Sequence, residues 1–301
     1  MKIRLLTLWL VLAVYAGLSG VRAEQPGSAK DQAAIERQMC VTFDGLPLDK
    51  SFTDVDRRLI TSEVLEAMDV HSAKGAGFVV GENIEDSYDL LGEWLNRGHV
   101  LGNLTYSHQD LHQIGAENYI REINLGAEAL EVMLAGFGQK KRYFRYPYLH
   151  YGHTVADKRE VRMFLAERND VVAHASIVVE DYLYNLSLEK LGSKADSADY
   201  LELMGEYLNH VLDEVEKAES QSMQLLGRNC RHILQLRLNR LNAAFLNDML
   251  IALKTMGYEF IPLDEALKDE LYSRPEAYFE SRGVGYLEMI FFSDPDLLPA
   301  E

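Results

Sequence analysis

The sequence predicts an α/β fold in which parallel strands form a sheet that is covered by helices, either open or closed into a barrel. Three observations predict this class. Short apolar runs alternate with amphipathic segments about seven times along the chain. Glycines close several of the amphipathic segments, as they commonly do at helix ends. Polar side chains follow the apolar runs at their carboxyl ends, where the ligand crevice of a parallel sheet lies.

The first strand is expected at 39–44, where an apolar run ends at Asp44 and the chain turns through Gly45 and Pro47. Further strands are expected where short apolar runs are bounded by glycine or polar residues. These runs lie at 78–80, 99–103, 143–145, 171–179, 232–236 and 258–262.

Helices are expected between the strands, each from an apolar stripe at helical spacing. The clearest covers 115–135, where apolar residues recur at intervals of three and four and Gly136 closes the segment. The other expected helices cover 51–73, 88–96, 155–167, 198–218 and 243–256. Strands that alternate with helices in this way are typical of parallel sheets.

The two ends of the chain depart from this alternation. Residues 1–23 have a basic start, a short apolar core and small residues before a cut after Ala23, which predicts a signal peptide and export to the periplasm or the extracellular space. No apolar stretch is long enough to predict a membrane span. Residues 24–38 are expected to form a leader, 39–269 the folded domain, and 270–301 a C-terminal tail packed on the barrel.

Charge and cysteine content limit the partners and the chemistry. Removal of residues 1–23 takes away three basic residues and no acidic one, so the net charge changes from −17 to −20. Such a surface repels nucleic acid and anionic lipid. Cys40 and Cys230 either form a disulfide in an oxidising compartment or are two separately buried thiols. Their spacing is not that of a metal or redox pair.

The polar groups at the strand ends resemble the motifs of the polysaccharide deacetylase (NodB-homology) family over residues 39–267. The matching segments are Thr42-Phe43-Asp44, Thr105-Tyr106-Ser107-His108, Phe144-Arg145-Tyr146-Pro147-Tyr148, Asp181-Tyr182 and Gln235-Leu236-Arg237. The resemblance implies a distorted (β/α) barrel of about seven strands. It also implies a glycan or an acetylated sugar as the partner, and metal-assisted removal of N- or O-acetyl groups as the family chemistry.

Some catalytic parts of that family are retained here by resemblance. Asp44 matches the general base, Arg145 matches the residue that orients it, and Asp181 matches the carboxylate behind that arginine. Tyr106, Pro147 and Tyr148 match or adjoin motif positions and are the candidates for substrate binding. The tyrosines either stack on sugar rings or pack as ordinary residues at the strand ends. Tyr146 and Tyr151 are further candidates for stacking.

Other parts are lost. Gly45 stands where the family has a metal-binding aspartate, and Leu104 stands where it has the first metal-binding histidine. The second metal histidine is retained as His108. Arg237 replaces the histidine that acts as general acid, and a guanidinium does not release a proton near neutral pH. One imidazole does not hold a catalytic zinc, which normally has three protein ligands.

These losses leave three hypotheses. The first is an inactive or impaired deacetylase-like protein, a pseudoenzyme, that binds glycan in the former active-site groove, with no cofactor expected. The second is an active carbohydrate deacetylase whose rearranged site holds zinc or another divalent metal through His108 and His112, four residues apart, together with Asp44. The third is a non-enzymatic docking protein, which would need a second apolar stripe on helix 198–218. That segment has only the stripe that a core-facing helix requires.

Overall fold

The computed structural model describes residues 36–192 and 197–293. The predicted signal peptide at 1–23 and almost all of the predicted leader lie outside the described residues. The strands are β1 Gln38–Leu46, β2 Ala76–Val79, β3 Val100–Asn103, β4 Tyr143–Phe144, β5 Val171–Val172, β6 Ile177–Val178, β7 His232–Arg237 and β8 Glu259–Phe260.

All of the paired strands run parallel, in the order β5-β4-β3-β2-β1-β7-β6, and β8 pairs with the start of β1. Seven strands therefore curl into a half-barrel in which β1 lies between β2 and β7. The register places Asp44 at the end of β1 opposite Arg237 at the end of β7. The predicted α/β class and the distorted (β/α) barrel are confirmed.

Helices surround the sheet and connect its strands. They are α1 Asp54–Val70, α2 Tyr88–Asn96, α3 Leu111–Gly136, α4 Val155–Glu167, α5 Asp181–Leu191, α6 Ser197–Leu226, α7 Arg240–Thr255, α8 Leu263–Ala266 and α9 Tyr286–Ser293. Thr53, Asp110, Thr154 and Asn239 cap α1, α3, α4 and α7, since each side chain accepts a hydrogen bond from a backbone N–H of the first turn. No helix in these described ranges has the length and apolar character needed to cross a membrane.

Alternation along the strands divides the buried residues between two faces of the sheet. Met39, Val41 and Phe43 pack in a large cluster with the helices. Cys40 belongs to a second, smaller cluster inside the curl of the sheet, and Thr42 and Asp44 share its face of β1. The apolar members of this inner cluster are Cys40, Ala76, Phe78, Val80, Leu104, Tyr143, Ala173, Ile233, Ile261, Leu263 and Ala266. The polar residues of the candidate site lie above this inner cluster.

The predicted strand at 171–179 is two strands with different partners. Ala173 donates to Phe144 of β4, whereas Ser176 donates to Ile233 of β7. The segment between them therefore passes from one edge of the curled sheet to the other. Helix α5 was not predicted, because its apolar residues do not form a clear stripe. Helix α3 begins before the predicted 115–135 and is kinked at Gly115, whose φ is +72°.

Cys40 and Cys230 are free and separately buried, so the disulfide alternative is wrong. Cys40 lies inside the curled sheet, and the Cys230 sulfur lies 3.4 Å from His232 Nδ1. Burial raises the pKa of both thiols to about 12. Neither thiol has the environment of a reactive cysteine.

Residues after 270 contact the barrel at several points, among them a buried lysine and a close approach of the backbone. The Lys158 ammonium on α4 donates to Glu276 at 2.5 Å and to the carbonyl of Tyr278. Gly283 lies so close to Tyr148 that an added Cβ would fall 1.8 Å from its carbonyl oxygen. The described part of the tail thus packs beside the loop that follows β4.

Buried neutral histidines predict that the fold loses stability in mild acid. Burial lowers the pKa of His99 and of His232 to about 4, against about 6.5 in an unfolded chain. The unfolded chain therefore takes up protons that the folded chain does not, and stability falls as the pH decreases from about 6.5 toward 4. We expect each residue to account for a loss of about 1–2 kcal/mol between pH 7 and pH 5.

Urea unfolding of the wild type and of His99→Leu at pH 7, 6 and 5 measures this effect. The variant also removes the acceptor of the Gly75 N–H, a cost that does not depend on pH. Only the slope of stability against pH is therefore diagnostic, and it should be shallower in His99→Leu. Equal slopes in the two proteins would contradict the assignment.

Candidate functional site

The end of β1 is shaped by a glycine in the left-handed region. Gly45 has a φ of +83°, and the register between β1 and β2 shifts between Asp44 and Leu46. This bulge holds the Asp44 side chain on the inner face of the sheet, at the rim of the curl. An L-residue at position 45 would be strained, although there is room for its Cβ.

Both carboxylate oxygens of Asp44 are engaged. Oδ1 accepts a hydrogen bond from Arg145 Nη1 at 3.1 Å, and Oδ2 accepts one from the amide of Gln235. The residue is 7% exposed. Each oxygen therefore accepts one hydrogen bond from a buried side chain, which fixes the carboxylate between a guanidinium and an amide.

Arg145 is fully buried and contacts several partners. Its Nε donates to the Ala173 carbonyl at 2.9 Å, and its Nη1 donates to Thr42 Oγ1 at 2.8 Å as well as to Asp44. The guanidinium carbon lies 4.2 Å from the centre of the Phe78 ring. Nη2 has no hydrogen-bond partner among the described residues.

The predicted pairing of Asp181 with Arg145 is wrong. Asp181 Oδ1 accepts from Arg237 Nη1 at 2.6 Å, and Oδ2 accepts from the Arg237 backbone N–H at 2.7 Å and from Asn242 at 2.7 Å. The reason is strand order, since β6 pairs with β7 and not with β4. Burial raises the pKa of Asp181 even though Arg237 favours its charged form.

Arg237 thus occupies the position of the lost general acid and pairs with a strand-end carboxylate. Its side chain is 38% exposed, and its guanidinium carbon lies 5.0 Å from the centre of the Tyr182 ring. Asp44 with Arg145 and Asp181 with Arg237 form two ion pairs at the rim. The four charges balance without an additional cation.

The residues at the family's metal positions do not fit a metal ion. Gly45 offers no side-chain ligand. Leu104 is fully buried in the inner apolar cluster with Phe78 and Tyr143, and its backbone N–H donates to Val79. Neither position carries a thioether, thiolate, imidazole or carboxylate. These two residues therefore do not hold a metal ion that could assist hydrolysis.

His108 remains at the rim without those co-ligands. Burial lowers its pKa, and the Asp44 charge opposes that effect, so the imidazole is neutral near pH 7. The ring lies edge-on to Tyr148, with 4.6 Å between the ring centres.

The backbone around the rim is strained. Thr105, His108, Tyr148 and Leu149 have φ values from +55° to +67°, a region that L-residues seldom adopt. Such residues cluster at ligand sites, where the surrounding structure holds them in place.

The aromatic side chains predicted to bind sugar divide into two groups. Tyr148 is 52% exposed and Tyr106 is 36% exposed. Pro147 is buried in the short turn Pro147–Leu149. Tyr146 and Tyr151 are 2% and 8% exposed and pack against each other at 4.4 Å, so they are core residues and do not offer a stacking surface.

His112 does not join His108 and Asp44, as the second hypothesis required. It lies with Asp110 and His150, and donor atoms of these three residues lie within 4.8 Å of one another. The His112 and His150 rings are stacked, with 4.1 Å between their centres and 2° between their planes. His108 and Asp44 are outside this group.

Sequence reasoning missed Asp110 and His150 as members of one cluster. Asp110 caps α3 two residues before His112, and that spacing was visible in the sequence. His150 follows two left-handed residues, Tyr148 and Leu149, and no sequence signal predicts two such residues in succession.

The buried Asp181 predicts that Arg237→Leu destabilises the fold. The change leaves Asp181 without its charged partner, at a cost of about 1–3 kcal/mol, less than for a wholly buried pair because the Arg237 side chain is partly in water. Arg121→Leu is the matched control, since its pair with Glu117 is exposed, and it should change stability by less than about 0.5 kcal/mol. Thermal and urea unfolding compare the two, and equal effects would refute the structural role of Arg237.

Comparison with known proteins identifies deacetylases of polysaccharides as similar proteins. The family model for polysaccharide deacetylase matches residues 31–164. A peptidoglycan-N-acetylglucosamine deacetylase of Bacillus cereus is 33% identical over 111 residues, which are 37% of this chain and 36% of that protein. A chitin deacetylase of Arthroderma benhamiae is 29% identical over 161 residues, which are 52% of this chain and 38% of that protein. The chain thus spans little more than a third of the length of these curated relatives.

Solved structures support the same fold. The polysaccharide deacetylase Bc1974 from Bacillus cereus superposes with a TM-score of 0.53 at 20% identity, over 75% of this chain and 92% of that one. BA3943 from Bacillus anthracis, described as a CE4 family pseudoenzyme, superposes with a TM-score of 0.52 at 13% identity, over 77% of this chain and 66% of that one. In its strand-end motifs, its curled parallel sheet and the match over residues 31–164, the chain is similar to the polysaccharide deacetylase family.

Proposed function

We propose that this protein is an exported, glycan-binding member of the family that does not hydrolyse acetyl groups. The observation that carries the proposal is the closed network at the rim. Asp44 is held between Arg145 and Gln235, and Arg237 is held by Asp181. A general acid needs a proton to give, and the guanidinium that stands at the position of the acid does not release one near neutral pH. The carboxylate at the position of the base is held by two protein donors and has no metal ligand at 45 or 104 beside it.

A binding role is supported by what surrounds the network. Tyr148 and Tyr106 offer exposed aromatic surface beside the strained rim, and sugar rings pack well on such surfaces. The chemical class of the ligand follows from the relatives, whose names specify peptidoglycan N-acetylglucosamine and chitin. An uncharged acetylated glycan also avoids repulsion by the acidic surface of the protein.

Acetate release tests the loss of hydrolysis. Purified protein, with and without added zinc, is incubated with chitin oligomers and with peptidoglycan, and free acetate is measured. We expect no release above that of Asp44→Asn, which removes the carboxylate at the position of the base. Release by the wild type that disappears in Asp44→Asn would overturn the proposal.

Calorimetric titration with N-acetylglucosamine oligomers and pull-down on insoluble chitin test the binding role. Tyr148→Ala removes an exposed ring at the rim, and we expect it to weaken binding about tenfold, or by about 1.4 kcal/mol. Phe137→Ala is the matched control, because this 42% exposed ring directly follows α3 at the end opposite the rim. Binding that is absent in the wild type, or weakened equally by both changes, would refute the glycan site.

The export part of the proposal rests on residues 1–23. If the chain is processed as their pattern predicts, N-terminal sequencing of the protein recovered outside the cytoplasm should begin at Glu24. An uncleaved N-terminus on protein retained in the cytoplasm would contradict export without affecting the glycan site.

A further inference from the structure

We propose that Asp110, His112 and His150 form a site for one divalent transition-metal ion, with zinc as the best-fitting ion, beside the rim of the barrel. The site is separate from the positions at which the family resemblance places a metal, Gly45, Leu104 and His108. It joins the start of α3 to the loop after β4, two segments that are 40 residues apart in the sequence at Asp110 and His150.

The three side chains already converge. Donor atoms of the three residues lie within 4.8 Å of one another, and Asp110 Oδ1 lies 2.8 Å from His150 Nδ1. Ligands of a zinc ion with bonds of about 2.0–2.1 Å are separated by roughly 3 Å, so small ring movements bring them to coordinating positions. The ion would replace the proton that the carboxylate and the imidazole now share.

The orientation of the His112 and His150 rings decides how they could coordinate an ion. The Gly152 backbone N–H donates to His112 Nε2 at 3.2 Å, and a metal ion bound to this nitrogen would take its lone pair in place of that N–H. The two rings are stacked 4.1 Å apart, so a rotation of one ring would bring both lone pairs toward a shared ion.

The surroundings hold the ligands in place. Asp110 caps α3, and its Oδ1 also accepts the His112 backbone N–H at 2.9 Å. An added Cβ at Gly283 would lie 3.2 Å from the His150 ring, so the tail packs directly against this ligand. Lys158 is the nearby cation, and its ammonium is paired with Glu276 at 2.5 Å. Ligands fixed by their neighbours in this way bind metal more tightly than mobile ones.

The types of ligand indicate which metal ion fits the site and what the bound ion would do to the surrounding loops. Two imidazoles and one carboxylate suit zinc, with a fourth position open to water, and do not suit calcium or magnesium, which prefer oxygen ligands. Bound metal would tie the loop that carries Tyr148 to the start of α3. It would lie outside the Asp44 and Arg145 network, so it would stabilise the rim and would not restore hydrolysis.

Zinc stoichiometry tests the site on tag-free protein that has been stripped with a chelator, loaded with zinc and exchanged into metal-free buffer. We expect about one zinc per chain by elemental analysis. His112→Gln, His150→Gln and Asp110→Asn should each lower retained zinc about tenfold or more. His108→Gln is the matched control, because it removes a rim imidazole outside the cluster, and it should retain zinc at the wild-type level.

A second readout separates metal loss from misfolding. Zinc should raise the melting temperature of the wild type and of His108→Gln, and leave that of the ligand variants unchanged, while circular dichroism shows that every variant is folded. No zinc retained by the wild type would overturn the site. Zinc lost in His108→Gln but kept in His150→Gln would overturn it as well. Acetate release reports separately on the proposed function, so either proposal can fail alone.

Discussion

The architecture of the rim depends on one buried contact, between the Arg145 guanidinium and the Asp44 carboxylate. Arg145 is fully buried, and an unpaired charge there would be far more costly than the pair. The contact spans the curl from the end of β4 to the end of β1, and Thr42 and the Ala173 carbonyl accept the neighbouring hydrogen bonds. Electrostatic need, and not catalysis, is sufficient to explain why these residues remain together.

The second ion pair, Asp181 with Arg237, also neutralises a buried charge, but here the fully buried partner is the carboxylate. Position 237 carries an arginine where the resemblance expects a titratable acid, and the fully buried Asp181 holds it through two hydrogen bonds. In a metal-dependent relative, a cation would offset part of the negative charge at the strand ends. Here side chains of the chain supply all of that positive charge. The single-ion metal site that we propose lies beside this balanced network and would tie together the loops around it.

Sequence reasoning predicted the sheet, its parallel pairing and the strand ends that face the rim, because alternation and turn residues are local signals. It failed where the answer depended on strand order. Asp181 pairs with Arg237 since Val178 and Gln235 are register partners of β6 and β7, which no local pattern reveals. It also failed for His150, whose position depends on the strained turn before it.

The left-handed backbone at Gly45 limits which substitutions this site tolerates. The metal-dependent chemistry that the resemblance implies would need ligands at positions 45 and 104 and an acid at position 237. A single change to Gly45 introduces strain, one to Leu104 buries a polar group in an apolar cluster, and one to Arg237 leaves Asp181 unpaired. Each of the three changes lowers stability through a different cost. The residues now at these positions are therefore fixed by the stability of the fold, independently of any activity.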